Sequence, residues 1–288
     1  MQGRAHTPQM MLLHSAALIK RVVRESRSRR RGPMHRLSSF VAVLVAVLIG
    51  LAAGHESLSG LAQEATPAAA GVALPPDAEV DGLDLSAWSA RSWQWFFSLP
   101  EEVNPYFDAT GENCGYGQSG SVFFLSGAEG SVERSCVISQ GVHVFVPLIG
   151  SECSTVEPPP FFGRDEAELR RCASDAVDHA AGIVDMSTLA LTVDGETIGD
   201  LATYRAVTPL FRLWLPQENL LGSDQTVADS VADGYQVMLS PLSLGEHKVV
   251  ITVPGPQGED PVTLTYTLTI VSGSNAEATA TPSATPST

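Results

Sequence analysis

Apolar and polar residues alternate along much of this chain, in short runs bounded by glycine, proline and aspartate. Three such runs follow one another between Glu112 and Cys153: Ser121–Leu125, Arg134–Ile138 and Val142–Ile149. They are rich in β-branched and aromatic residues, which is the pattern of strands. The alternation returns after residue 188. Leu189–Val193 runs into Asp194-Gly195, a strong hairpin signal. Phe211–Leu215 and Tyr235–Leu239 alternate again, and Gly245–Val253 with Val262–Val271 read as a final hairpin around Pro254-Gly255-Pro256.

Two stretches have helical period instead. Asp84 or Ser86 can cap a helix that runs to about Leu99, where Pro100 stops it. Leu85, Trp88, Ser92, Trp95, Phe96 and Leu99 fall on one stripe of that helix, with Trp93 and Phe97 on its flank. The stripe predicts that Trp88 and Trp95 are buried on a sheet, and that Trp93 meets solvent or a ligand. An aromatic platform for sugars is the sharper reading of these tryptophans. A core helix is the plainer one, and the period favours it. Arg164–Gly182 reads as a second helix whose apolar side holds Leu169, Cys172, Ala173, Ala176, Ala180 and Ile183. The fold class expected is mainly β: a single β-sandwich of immunoglobulin-like or jelly-roll type, with an N-terminal aromatic helix and a second, disulfide-pinned helix.

The ends do not fit this pattern. Residues 1–33 are basic and read as an extension that is not native to the protein, with Met34 as the expected start. Within 34–62, the apolar run Phe40–Ala53 and the small residues of Gly60-Leu61-Ala62 form a secretory signal peptide. Fourteen apolar residues are short for a membrane span, which needs about 20. Residues 63–83 read as a disordered leader and 272–288 as a disordered Thr/Pro-rich tail, which leaves 84–271 as the folded domain.

The composition then narrows the partners. The chain holds 17 basic and 32 acidic residues, of which residues 1–62 hold 9 and 2, so the remainder carries 8 basic and 30 acidic residues, a net of −22. Such a surface repels phosphate backbones and anionic lipid heads, which excludes nucleic acid as a partner. The four cysteines, Cys114, Cys136, Cys153 and Cys172, all lie beyond residue 62. An even count in an exported chain predicts two disulfides. Three pairings are possible, and the sequential one, 114–136 with 153–172, is the one expected.

Candidate chemistry is sparse. Gly117-Gln118-Ser119-Gly120 lacks the spacing of a hydrolase nucleophile and reads as a turn. His143, together with Glu152, is a candidate ligand or base, although a core or edge histidine with a hydrogen-bond partner is the plainer reading. Asp175, Asp178 and His179 fall on one helix face, and His247 has no evident partner. Asp224, Asp229 and Asp233 crowd one segment without the spacing of an EF-hand loop. Glu152 with Glu157, or Glu101 with Glu102, could supply paired carboxylates for glycoside hydrolysis. No cofactor or metal site is expected, since no H-E-x-x-H, C-x-x-C or three-histidine set occurs.

The chain resembles a family of uncharacterised secreted bacterial and archaeal proteins. The resemblance rests on Trp88-x4-Trp93-x-Trp95, Gly111-Glu112-Asn113-Cys114, Arg134-Ser135-Cys136-x-Ile138 and Pro241-Leu242-Ser243-x-Gly245-Glu246-His247. It covers roughly 85–253. It implies export, but no activity that could be carried over to a residue. The expected function is a secreted or envelope-associated, non-enzymatic binding module. The alternative is a secreted hydrolase acting on polysaccharide or peptide. Trp93, His143 and Glu152 are the candidate ligand-binding residues. N-terminal sequencing of the protein recovered from culture medium or envelope is expected to begin at or near Gln63, and a cytosolic product starting at Met1 would contradict export.

Overall fold

The computed structural model describes residues 71–256 and 259–272. The extension, the signal peptide and nearly all of the tail lie outside them. Helix α1 (Leu85–Ser98) begins where the Asp84 carboxylate accepts the Ala87 amide proton at 2.8 Å. It ends at Leu99, which turns extended ahead of Pro100. Strands β1 (Val122–Phe124), β2 (Val132–Ser139) and β3 (His143–Ser154) precede helix α2 (Glu166–Ile183). Then come β4 (Ala190–Val193), β5 (Glu196–Thr197), β6 (Arg205–Val207), β7 (Phe211–Trp214), β8 (Val227–Leu239), β9 (Gly245–Val253) and β10 (Val262–Val271). None of the described helices is long and apolar enough to cross a membrane.

The strands form two five-stranded sheets. In the first, β3 lies between β1 and β8, and the long β8 carries both β6 and β7 on its far side. The second runs β2-β10-β9-β4-β5. Each sheet is mixed: β1 pairs with β3 in parallel, and so does β2 with β10. This departs from the antiparallel sheets of the expected sandwich. Residues from both sheets and both helices contribute to one hydrophobic cluster. The β4–β5 turn has both central residues at positive φ, Asp194 at 53° and Gly195 at 87°, as the Asp-Gly pair requires. The β9–β10 hairpin pairs Val253 with Val262.

Both disulfides follow the sequential pairing. Cys114 bonds Cys136 and ties the loop after α1 to β2, and Cys153 bonds Cys172 and ties β3 to α2. Each closes a loop of about 20 residues, worth roughly 3 kcal/mol in the chain-entropy view. Arg134 does the corresponding work without covalent bonds. It is buried on β2, and its guanidinium donates to the carbonyls of Asp108 (2.7 Å), Ser126 (3.2 Å), Gly127 (3.0 Å) and Tyr106 (3.3 Å) and to the Tyr266 hydroxyl (2.6 Å). Burial raises the Tyr266 phenol above its ordinary value, so it stays a neutral donor to Ser126 O. Beside this hub, the Asp108 carboxylate accepts the amides of Thr110, Gly111 and Asn113. Burial alone would raise its pKa, but these bonds outweigh it and hold Asp108 below the ordinary aspartate range.

Two expectations need correction. The leader is ordered from Gly71 onward, because Val72 and Leu74 continue the edge pairing of β8. Leu74 N donates to Met238 O at 2.8 Å, Ser240 N donates to Val72 O at 2.7 Å, and the Tyr204 hydroxyl donates to Leu74 O at 3.0 Å. The second correction concerns α1. Trp93 is the most buried of its three tryptophans, at 5% exposure against 8% for Trp88 and Trp95. It stacks on Phe97 at 5.7 Å and meets Phe96 edge-on at 6.0 Å. The face that meets the sheet runs Ser89–Trp93–Phe97, with Ala90 beside it, and all four are buried. Its small residues hid it from an apolar-stripe count.

The ring packs on the sheet where two strands lie close together. Gly150 and Gly234 face each other across β3 and β8, and Trp93 reaches to 3.7 Å from where a Gly150 Cβ would stand. A Cβ on Gly234 would lie 2.6 Å from Ile149 O and 2.7 Å from Gly150 Cα, so only glycine fits there. Trp93→Ala is therefore expected to cost about 3–5 kcal/mol in chemical denaturation, more than Trp88→Ala or Trp95→Ala. Gly234→Ala is expected to be similarly damaging. Equal, small losses at the three tryptophans would show that α1 is not seated on the sheet.

Candidate functional site

The opposite ridge of α1 alternates the buried Trp88 and Trp95 with the exposed Arg91 and Ser98. Trp88, Arg91, Trp95 and Ser98 recur at i, i+3, i+7 and i+10 and form one wall of an open groove of about 630 Å³. Gly117, Ser119, Gly120 and Ser121 form the other wall, with Phe124 at the base and Asp81 and Leu83 at one end. Trp95 stacks on Phe124 at 5.6 Å and Trp88 lies 6.2 Å from it, so the groove rests on the aromatic core.

The same two tryptophans fix the far wall and one end. Trp88 Nε1 donates to Val80 O at 3.0 Å, which holds the 80–83 segment. Trp95 Nε1 donates to Tyr116 O at 3.0 Å, which holds the 117–121 wall. Gly117, at φ 67°, passes close under α1, and a Cβ there would meet Leu99 Cδ2 at 2.9 Å. The Gln118 side chain closes the free edge of β1: its amide nitrogen donates to Phe124 O at 2.8 Å and its oxygen accepts from Phe124 N at 3.1 Å. Ser121 Oγ donates to Asp81 across the end of the groove. Arg91 is exposed, with its guanidinium carbon 5.5 Å from the Trp88 ring centroid.

None of the three expected ligand residues lines this groove. Trp93 is under the sheet-facing side of α1. His143 and Glu152 lie nine residues apart on β3, roughly 30 Å at about 3.3 Å per residue. His143 opens the interior strand β3, and its ring places Nδ1 3.1 Å from Leu239 O, a backbone partner. Glu152 is wholly buried and accepts from Ser230 Oγ at 2.5 Å. Glu157, 3% exposed, accepts from Ser154 Oγ at 3.3 Å, and Ser154 and Ser230 oppose each other across β3 and β8. The two acids thus belong to one polar cluster inside the protein. A glycosidic bond placed between them would have to displace the sheet itself.

Other acidic residues are engaged singly. Asp233, 1% exposed, receives both Nε and Nη2 of Arg205, whose Nη1 reaches Asp178 on α2 at 2.7 Å. Asp229 pairs with Arg212 instead. Of the crowded aspartates, Asp229 and Asp233 lie on β8 and are held by different arginines, and Asp178 turns to Arg205 of β6. The fourth tryptophan, Trp214, is the exposed one at 59%, opposite Val227 on the face it shares with Arg212. Its place in the alternating run Phe211–Leu215 was the signal for that exposure.

His247, which lacked a partner in the sequence, has two. Nδ1 lies 2.7 Å from Asp194 Oδ2, while Nε2 lies 3.1 Å from Ser243 Oγ and 3.0 Å from Ser243 O. The order resembles a Ser-His-Asp triad: the Asp194 carboxylate accepts from Nδ1–H, which places Nε2 to accept from Ser243 Oγ. None of the three residues lines the groove beside α1. Asp194 also accepts from Lys248 N at 2.8 Å. The three residues clamp the β4–β5 turn to the start of β9.

No family model matches the chain, and no curated protein matches it. Among solved structures, the solution structure of Amebosin aligns over 49% of this chain and 96% of its own, at 11% identity and a TM-score of 0.17. A likeness that low carries no argument.

Burial alone would raise the Asp194 pKa, but the bonds from His247 and Lys248 N outweigh it and hold it below the ordinary aspartate range. A depressed carboxylate contributes stability above its unfolded pKa and loses it as pH falls through the folded one. Asp194→Asn is expected to lower stability at pH 7 by at most about 1 kcal/mol, the range of an exposed pair, with the difference vanishing below pH 3.8. A fluorophosphonate probe is expected to leave Ser243 unlabelled. Labelling that His247→Ala removes would restore the hydrolase reading.

Proposed function

We propose that this chain is an exported, non-enzymatic binding module of the kind its sequence motifs resemble. Its ligand, an extracellular molecule or a cell-envelope component, sits in the groove between α1 and Gly117–Ser121. The observation that carries this reading is that one helix forms one wall of the groove and fixes the other wall and one end through the indole N–H groups of Trp88 and Trp95. A groove built this way is preformed, with aromatic residues at its base and a few polar groups at its rim, which is the usual make-up of small-ligand sites. The two disulfides accord with an oxidising compartment. Two sheets contributing to one core support reading the scaffold as a sandwich variant with the groove on its helix-covered flank.

The test is a screen of the purified protein against arrays of glycans, peptides and envelope polymers, beside a Ser119→Trp variant that fills the groove from its exposed rim. Binding is expected to fall more than tenfold with the melting temperature unchanged. Unchanged binding would place the ligand elsewhere.

A further inference from the structure

Arg91 points to the ligand's chemistry. Beyond residue 62 the chain carries 8 basic residues, and all lie in the described part. Arg164, Arg170, Arg205 and Arg212 are paired with carboxylates, and Arg134 is taken up by carbonyls and a hydroxyl. Arg91, Arg171 and Lys248 make no ion pair among the described residues, and of these three Arg91 is the one that lines the groove. The described interaction of Arg91 is the stack on Trp88, which holds the guanidinium at the groove wall with no hydrogen bond from its N–H groups to a described residue. An oriented, unpaired guanidinium beside aromatic rings is suited to bidentate capture of a carboxylate.

The rest of the groove narrows the carrier of that carboxylate. Ser98 and Ser119 offer hydroxyls, and Asp81, already bonded by Ser121, can accept from a ligand hydroxyl. An extended peptide would dock by adding a strand, but Gln118 occupies both backbone groups of Phe124 on the β1 edge. The net charge of −22 beyond residue 62 repels polyanions, so a single carboxylate among neutral hydroxyls fits best. Resting on the groove reading above, we propose that the site binds an oligosaccharide bearing one uronic acid, with Arg91 holding its carboxylate.

The test is calorimetric titration of the purified full chain with matched pairs, such as cellobiose and cellobiouronic acid. The uronate member is expected to bind at least tenfold more tightly. Arg91→Gln is expected to erase that preference while leaving the melting temperature unchanged, and Arg91→Lys to restore only part of it, since a point charge lacks the fork. Equal binding of both members with Ser119→Trp still blocking them overturns the carboxylate assignment and leaves the groove standing. Binding of neither member, or capture of a peptide carboxylate instead, overturns the uronate ligand, while Ser119→Trp on the array judges the groove separately. Uronate binding that persists in Ser119→Trp overturns both.

Discussion

The buried guanidinium of Arg134 is the interaction on which the irregular half of this protein depends. A cation inside a core is tolerated only when its donors are met. Here they are met by carbonyls from Tyr106, Asp108, Ser126 and Gly127, all in the long connection between α1 and β2. That connection has little regular structure of its own, so the hub replaces the backbone ladder that a strand would have supplied. Cys136, the next inward position on β2, adds the bond to Cys114 in the same connection. The groove wall at Gly117–Ser121 lies within the segment fixed in these two ways. Removing the hub would therefore disturb the groove from behind, through residues that never touch a ligand.

A second constraint works from the other side of α1. Trp93 packs on the sheet beside Gly150, where β3 and β8 lie close together. With Trp93 inward, Trp88 and Trp95 are carried to the border, where their indole N–H groups reach the flanking loops. Arg91 then comes outward. The groove is thus a consequence of how a buried ring is seated. On the other face of the same sheet, Arg205 joins Asp233 of β8 to Asp178 of α2, while the Cys153–Cys172 bond holds that helix covalently.

Local chemistry made much of the fold legible in the sequence. Asp84 and Pro100 mark the ends of α1, Asp194-Gly195 forms its hairpin, and the alternating runs are strands, because caps, turns and the two-residue period act over a few neighbours. The cysteine spacing anticipated both disulfides for the same reason: each closes a short loop. The fourth tryptophan followed its alternation to the surface.

What the tertiary structure decided involves partners far apart in the chain. The parallel pairings of β1 with β3 and of β2 with β10 depend on which sheet each strand joins, which no local pattern encodes. The face of α1 that is buried is the one that meets strands distant in sequence, and Ser89 and Ala90 look unremarkable until that surface is present. The ligand candidates Trp93, His143 and Glu152 were chosen for their chemistry, but burial and strand distance separate them. His247 finds Asp194 only because β4 and β9 are neighbours. The sequence by itself determined the elements, the covalent ties and the acidity. The groove and its unpaired arginine exist only once those elements are packed, because a surface is defined by what the core has already taken.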